Sequence, residues 1–358
     1  MISKEYFKSA EEVAEVKGIS VDEVHEATKK GLMQSFKKVY GNSCCRAEIN
    51  PEKNEILLFA VYKVVDELSV EPVEDQKEKE ILLEDAKLIK KSAKVGDIIE
   101  QKVDFKNFSR TAVLTAKNTT NQSIKQSERD SAYEYFKGLE NEMVVAKVSN
   151  IGEKFVTLNL GHNVTTVLPL AEFANVIDLA VGQSIRVYVK KVEQTTKEPK
   201  VYVSRTDRAL VTRLMENYIP EIKDGIIEIK GIARDPGDRS KIALYSSDPK
   251  IDAIGSCVGE GGTRIKQIVD ALGGEKVDLY KWSENPEELI ANSLQPAAVT
   301  KVLSVDVKEK SSVVIVPDDH LSLAIGKMGQ NVRLAVQSCG WKIDIMPVSV
   351  AYDKGLLI

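Results

Sequence analysis

Residues 257–279 read CVGEGGTRIKQIVDALGGEKVDL, and residues 324–345 read AIGKMGQNVRLAVQSCGWKIDI. The two stretches align at an offset of 67 residues, and the aligned glycine pairs are Gly259 with Gly326, Gly262 with Gly329, and Gly273 with Gly340. Self-similarity at a fixed offset indicates two copies of one folding unit. The fold of this region must therefore be one that occurs twice in tandem.

The elements predicted around these glycines follow the same order in both copies. The first copy has a helix at Arg208–Tyr218, strands at Ile226–Ala233 and Lys241–Tyr245, and a helix at Thr263–Leu272. The second has a helix at Glu287–Leu294, strands at Val302–Val307 and Ser312–Val316, and a helix at Gln330–Cys339. With a short helix before each glycine loop and a strand after it, the unit is αββααβ, which predicts two tandem type II KH domains.

A GxxG motif alone is weak evidence, because 21 glycines in 358 residues would produce such a spacing about once by chance. A pair of helix-capping turns is the alternative interpretation, since glycine is common at helix ends. The repeated unit around each loop is what favours RNA binding.

The physical reason for RNA binding lies in the loop backbone. Glycine has no Cβ, so an RNA backbone can approach the main chain closely. Each loop opens a helix, whose unpaired N–H groups and positive dipole end favour phosphate. A KH module clamps about four nucleotides in this way, with bases along an apolar groove. The predicted groove residues are Val258, Ile265, Ile325 and Val332.

The two loops differ in charge. The second contains Lys327 and Met328, whereas the first contains Glu260 and Gly261. We therefore predict that the second loop binds phosphate more strongly. The candidate RNA-binding residues of the two modules are Gly259, Gly262, Arg264, Lys266, Gly326, Lys327, Gly329, Gln330, Asn331, Arg333, Arg239 and Lys241.

Residues 139–205 change to a period of two, which indicates short strands. The predicted strands are Met143–Ser149, Phe155–Asn159, Thr165–Leu168, Ser184–Val192 and Lys200–Ser204. Five strands in so short a segment predict an OB-type barrel. Phe155 is a candidate for base stacking, and Arg186 and Arg205 are candidates for phosphate contact or stacking. The alternatives are a core phenylalanine and solvated arginines.

The front of the chain predicts an α/β domain. Residues 1–40 show helical periodicity up to Gly41, and strands are predicted at Cys44–Ile49 and Glu55–Val65. Polar residues 118–138 read as a connector that is at least partly helical. The predicted multidomain α+β organisation is an N-terminal domain at 1–126 followed by a connector helix, the barrel at 138–206, and KH domains at 207–283 and 284–350.

Composition excludes several classes of protein. The formal net charge is −4, with 16 Lys+Arg against 21 Asp+Glu in residues 1–100, so the acidic part is at the front. The four cysteines form no C-x-x-C pair, and the three histidines are scattered, which predicts no metal site.

No run approaches the roughly 18 apolar residues of a membrane helix. We find no P-loop and no nucleophilic triad, and Asp318 and Asp319 are interpreted as helix N-caps.

The chain resembles the NusA family of bacterial transcription termination/antitermination factors along nearly its whole length. The most specific stretches are DPGDRSKIALYS (235–246), DPKIDAIGSCVG (248–259), LGGEKVDL (272–279), WSENPEELIANSLQPA (282–297) and VPDDHLSLAIGKMGQNVRLA (316–335). Two positions depart from the pattern: Gly261 replaces a usual basic residue, and Pro169 stands where many RNA-binding S1 domains carry histidine.

The resemblance implies a function that the motifs alone do not. Such proteins bind RNA polymerase core through the N-terminal domain and guide nascent single-stranded RNA along an S1–KH–KH arm. We accordingly expect a monomeric, cytoplasmic elongation factor without catalytic residues, cofactor or membrane contact, with other elongation or termination factors as further partners. The alternatives are an accessory RNA-binding protein of a ribonuclease or of the ribosome.

Overall fold

The structure is a computed structural model that describes residues 3–69, 77–173 and 179–356. The chain divides into two compact units. The first comprises residues 1–135 and 194–199, and the second comprises residues 136–193 and 200–358. The five barrel strands and both KH modules lie in the second unit.

The first unit combines helices with a four-stranded sheet. Its elements are α1 (Lys4–Lys17), α2 (Val21–Tyr40), β1 (Cys45–Asn50), β2 (Glu55–Val65), β3 (Lys79–Leu82), α3 (Leu83–Ile89), β4 (Ile98–Lys102) and the start of α4 (Arg110–Lys137). The long strand β2 pairs antiparallel with β1 and β4 and parallel with β3. The predicted strand Glu55–Val65 is confirmed without change, and the preceding strand begins and ends one residue later than predicted.

The helical stretch predicted over residues 1–40 is two helices. Gly18, in the left-handed region with φ of 66°, ends α1. Ser20 then begins α2 through a capping box, in which its hydroxyl accepts from the Glu23 N–H and the Glu23 carboxylate accepts from the Ser20 N–H. The break therefore depends on one glycine and one cap that periodicity alone does not reveal.

Helix α4 starts at Arg110, eight residues before the predicted connector. The Ser109 hydroxyl accepts a hydrogen bond from the Ala112 N–H (3.3 Å) at its first turn. A Cβ on Gly31 of α2 would lie 2.2 Å from the Thr120 Oγ1, so α2 and α4 cross in close contact. The polar residues predicted as a partly helical connector are thus helical, and they belong to a longer helix that packs against α2.

The five-stranded antiparallel barrel is confirmed. Its strands are β5 (Met143–Ile151), β6 (Phe155–Gly161), β7 (Val164–Pro169), β8 (Ser184–Glu193) and β9 (Lys200–Ser204). They are ordered β7-β6-β5-β8-β9. The Thr166 hydroxyl of β7 donates to the Val201 carbonyl of β9 (2.7 Å), so the two end strands nearly close the barrel.

Both αββααβ units are confirmed. The first consists of α5 (Arg208–Tyr218), α6 (Pro220–Lys223), β10 (Ile227–Asp235), β11 (Arg239–Ser246), α7 (Ala253–Val258), α8 (Thr263–Ala271) and β12 (Lys276–Lys281). The second consists of α9 (Pro286–Ser293), β13 (Lys301–Asp306), β14 (Ser311–Val316), α10 (Leu321–Ile325), α11 (Gln330–Cys339) and β15 (Lys342–Pro347), followed by α12 (Val348–Asp353). In each copy two antiparallel strands are joined by a parallel third strand. The short helices α6 and α12 are additions that the sequence did not predict.

Helix α11 of the second module lies directly on strand β10 of the first. A Cβ on Gly231 would lie 2.0 Å from the Ser338 carbonyl oxygen. Beside this contact the buried Tyr280 hydroxyl donates to the Ser338 hydroxyl (2.9 Å). Ala243 and Tyr280 of the first module belong to the same hydrophobic cluster as the core of the second. The two modules therefore share one packed interface.

The interpretation of Asp318 and Asp319 as N-caps of the next helix is wrong. Both lie inside a 3₁₀ turn, Asp318–His320, and no side chain caps it or α10. The Asp318 carboxylate instead accepts from the Ser349 N–H and hydroxyl (both 3.1 Å), at the first turn of α12. The acidic side chain thus stabilises a helix start 31 residues later in the chain.

Among residues 3–69, 77–173 and 179–356, no helix is long and apolar enough to cross a membrane. Within the same ranges, no cluster of three or more His, Cys, Asp or Glu side chains could hold a metal ion.

Replacing Gly231 with alanine should destabilise the second unit. The added methyl group cannot fit beside the Ser338 backbone, so β10 and α11 must separate. We expect a loss of about 1–3 kcal/mol of unfolding free energy, measured by thermal or urea denaturation of the full chain. The exposed Glu228 on the same strand is the control, and Glu228→Ala should change stability by less than about 0.5 kcal/mol. Equal stability of both variants would contradict the close packing.

The first unit should lose stability as the pH falls below about 6.5. Burial lowers the pKa of His25, whose Nδ1 lies 3.0 Å from the Tyr6 hydroxyl, although Asp22 and Glu26 oppose the shift. Because the unfolded chain takes up this proton at higher pH, the native state is fully favoured above about 6.5 and disfavoured below it. The wild type should therefore melt at a higher temperature than His25→Gln at pH 7.5, and this difference should shrink as the pH is lowered to 5.5. A difference that does not change with pH would contradict the lowered pKa.

Candidate nucleic-acid interface

The two glycine loops have the same backbone path. Gly259 and Gly326 have φ of 74° and 76°, both with ψ of 172°. Gly262 and Gly329 have φ of 75° and 74°, both with ψ of 16°. Between them, Gly261 (60°, 18°) and Met328 (52°, 30°) are also left-handed. The repeat seen in sequence is therefore a repeat of conformation.

The two glycines of each loop are needed for different reasons. A Cβ on Gly259 would lie 2.8 Å from the Arg264 Cγ, and one on Gly326 would lie 2.7 Å from the Asn331 N. No atom lies within 4 Å of a Cβ built on Gly262 or Gly329, where positive φ alone favours glycine. The second glycine of each loop thus borders open space, through which a ligand can approach.

Helices α8 and α11 begin directly after the loops, and no side chain caps either one. The first N–H groups, those of Thr263 and Gln330, donate to the Glu260 and Lys327 carbonyls of the loops, so what each helix start offers an anion is the positive end of its dipole. Lys327 and Met328 are exposed in the second loop, with Met328 91% exposed. Glu260 is exposed in the first loop. The charge difference predicted from sequence is therefore present at the surface of both loops.

Arg264 and Asn331 hold the loops in place. They occupy the same position of the repeat, five residues after the first glycine. The Arg264 guanidinium donates to the Ser256 carbonyl (2.8 Å) and pairs with Glu221 (2.9 Å). The Asn331 amide donates to the carbonyls of Leu294, Leu323 and Ala324, and only 3% of the residue is exposed. Both side chains, predicted as RNA contacts, are engaged in the protein.

Gln330 and Arg333 face the first KH module. The Gln330 amide donates to Asp238 (2.7 Å) and Asp235 (3.1 Å) in the turn between β10 and β11. Arg333 forms an ion pair with the same Asp235. The sequence did not predict these carboxylate partners, because they lie more than 90 residues away in the chain. Lys266, by contrast, is exposed on α8.

Lys241 is buried and joins the two modules. Its ammonium group donates to the carbonyls of Ser293 and Gln295 (both 2.7 Å) at the end of α9. Burial lowers its pKa to about 8. Arg239, also predicted as an RNA contact, pairs with Asp278 at 3.5 Å. Lys241 therefore serves packing rather than RNA contact in this structure.

A groove of about 740 Å³ adjoins the first glycine loop. Val258 and Ile265 line it as predicted, together with strand β12. Its opposite wall comes from residues 291–299 of the second module, which sequence periodicity did not identify. The other two predicted groove residues lie on the second module, where Ile325 is 39% exposed and Val332 packs against the core.

The barrel candidates fall into two groups. Phe155 is 51% exposed and pairs across the strands with Pro169, so its ring is available for stacking. The Arg186 guanidinium lies over the Tyr218 ring at 5.3 Å from its centre. Arg205 is 6% exposed and donates to the Arg186 carbonyl (2.7 Å). Phe155 is thus at the surface of the barrel, whereas Arg205 is buried between the barrel and the first KH module, where it also donates to the Ala271 carbonyl (3.4 Å).

Family models match most of the chain. The NusA N-terminal domain matches residues 5–130, the NusA-like first KH domain residues 205–282, and the NusA-like second KH domain residues 286–352. Their limits differ by a few residues from the domain boundaries predicted here, which remain a prediction.

Curated relatives match over nearly the full length. The transcription termination/antitermination protein NusA of Halalkalibacterium halodurans is 39% identical over 99% of this chain and 91% of its own. Those of Bacillus subtilis and Thermus thermophilus are 42% and 37% identical, over 95% and 98% of this chain and 90% and 92% of their own. On these matches and the two KH modules, the chain belongs to the NusA family of transcription termination/antitermination proteins.

Proposed function

We propose that the chain holds nascent single-stranded RNA on its second unit while its N-terminal domain binds RNA polymerase core, and so modulates pausing, termination and antitermination without catalysis. The observation that carries the RNA part is the pair of helix starts without a capping side chain, each directly behind a glycine loop of the same conformation. The positive dipole end of such a helix favours a phosphate, whatever the base sequence.

The candidate residues divide by accessibility. Lys327, Lys266 and Phe155 are exposed and can reach RNA directly. Asn331 and Lys241 act through the protein, because both are buried and donate to backbone carbonyls, and Arg264 is held by Glu221 and the Ser256 carbonyl. The side chains proposed to touch RNA are therefore fewer than the sequence suggested.

The second loop should be the stronger phosphate clamp. Gly262 and Gly329 have almost the same φ and equally open surroundings, so aspartate introduces matched strain and matched charge at both. We expect Gly329→Asp to weaken RNA binding roughly tenfold, or about 1.4 kcal/mol, and Gly262→Asp to weaken it less. A fluorescence titration with single-stranded RNA measures this, and equal or reversed losses would refute the ranking.

Reversing the charge of two loop residues that do not have positive φ provides a control for backbone strain. Lys327→Glu should weaken binding and Glu260→Lys should strengthen it, both with a changed salt dependence. Neither residue has positive φ, so folding should be preserved in both variants.

The proposed binding to RNA polymerase core rests on family membership and on the acidic charge of the N-terminal residues. Residues 1–100 carry an excess of five acidic residues, which is compatible with a basic partner surface. The tagged full chain should co-purify with RNA polymerase core and, in weaker association, with other elongation or termination factors. Recovery with ribosomal particles alone would refute this, and phosphate-dependent RNA degradation by the pure chain would instead indicate a ribonuclease accessory.

A further inference from the structure

A cavity of about 360 Å³ lies between the barrel and the first KH module, both in the second unit. The barrel contributes Phe173, Arg186 and Arg205 to its walls, and the KH module contributes Tyr218, Gln267 and Asp270. The two barrel arginines selected from sequence thus meet at one site, distinct from the glycine loops.

Arg186 is half-buried and lines the cavity beside an aromatic ring. One face of its guanidinium covers the Tyr218 ring at 5.3 Å. Within residues 3–69, 77–173 and 179–356, its guanidinium makes no hydrogen bond or ion pair. A planar guanidinium held on an aromatic ring can stack a base on its free face while its N–H groups remain available to a phosphate.

Arg205 places a second positive charge behind the first. It is 6% exposed, and its donors are directed to the carbonyls of Arg186 (2.7 Å) and Ala271 (3.4 Å). Burial and then the neighbouring Arg234 lower its pKa to about 10, although the Glu275 carboxylate opposes the shift, so Arg205 is still charged at neutral pH. A buried cation bonded to neutral oxygens favours an anion in the adjoining cavity.

The opposite wall carries hydrogen-bonding groups on one helix. Gln267 and Asp270 are both exposed and stand three residues apart on α8, hence on one face. The same helix begins at Gly262 of the first glycine loop. Its nine residues span about 13 Å, so one strand of RNA can contact both ends of the helix.

We propose that this cavity is a nucleotide subsite that takes one unpaired nucleotide of the RNA bound by the KH modules. Its phosphate lies toward Arg186 and Arg205, its base stacks on the Arg186 guanidinium, and the Asp270 carboxylate accepts a hydrogen bond from an exocyclic amino group. Carboxylates select cytosine in this way in other nucleic-acid complexes. The inference rests on the proposed RNA binding and adds a position and a base preference to it.

The test uses the full chain and fluorescein-labelled single-stranded RNA of roughly 20 random nucleotides. Arg186→Gln removes the stacking cation, and Gln267→Trp fills the cavity from an exposed helix position. Each should weaken binding about tenfold. Lys223→Gln removes an exposed positive charge outside the cavity and should leave affinity unchanged. Thermal unfolding verifies that each variant is folded. If Gln267→Trp does not fold, the affinity of Arg186→Gln alone decides whether the cavity binds RNA.

Base preference is tested with Asp270→Ala. The wild type should bind oligocytidine more tightly than oligouridine, and the variant should lose this preference. An unchanged ratio would overturn the role of Asp270.

The outcomes separate this inference from the proposed function. If the cavity variants bind as the wild type does while Gly329→Asp weakens binding, the subsite is refuted and RNA binding by the KH modules stands. If the wild type binds no RNA at all, the proposed function itself fails.

Discussion

The arrangement of the two KH modules depends on one constraint. The sheet of the first module has an apolar face opposite its own helices, and this face must be buried. Helices α5, α7 and α8 supply the core on one side of this sheet. Apolar side chains on the opposite face of this sheet gain stability when they are removed from water. The second module covers that face with α9 and α11, and the fit is close enough to require glycine at position 231. One hydrophobic requirement thereby fixes the relative placement of the two KH modules.

Polar contacts follow from this packing. Lys241 is taken out of water by the interface and is stabilised by two carbonyls at a helix C-terminus, where a cation is favoured. Near the barrel, Glu275 is buried with Arg234 at 2.9 Å and accepts further hydrogen bonds from Gly237 and Ser240. A buried ion pair of this kind requires complete hydrogen bonding, which specifies one arrangement of neighbouring elements.

Sequence reasoning identified the repeated unit, the barrel and most strand limits, because these depend on local periodicity and turn residues. It could not show which basic side chains are accessible. Lys241 and Lys327 are both lysines near a strand or loop end, yet one is buried by residues 50 positions away.

The shared interface has a kinetic consequence for a ligand that spans both modules. Two weak clamps held at a fixed distance behave as a bivalent receptor, so a strand released from one loop remains at high effective concentration near it. Avidity then keeps the strand associated although each single contact is short-lived. Such a surface can retain a strand that is moving lengthwise, because contacts break and re-form one at a time. For the RNA proposed above, the close packing that Gly231 permits between the modules would thus be what allows a bound strand to move.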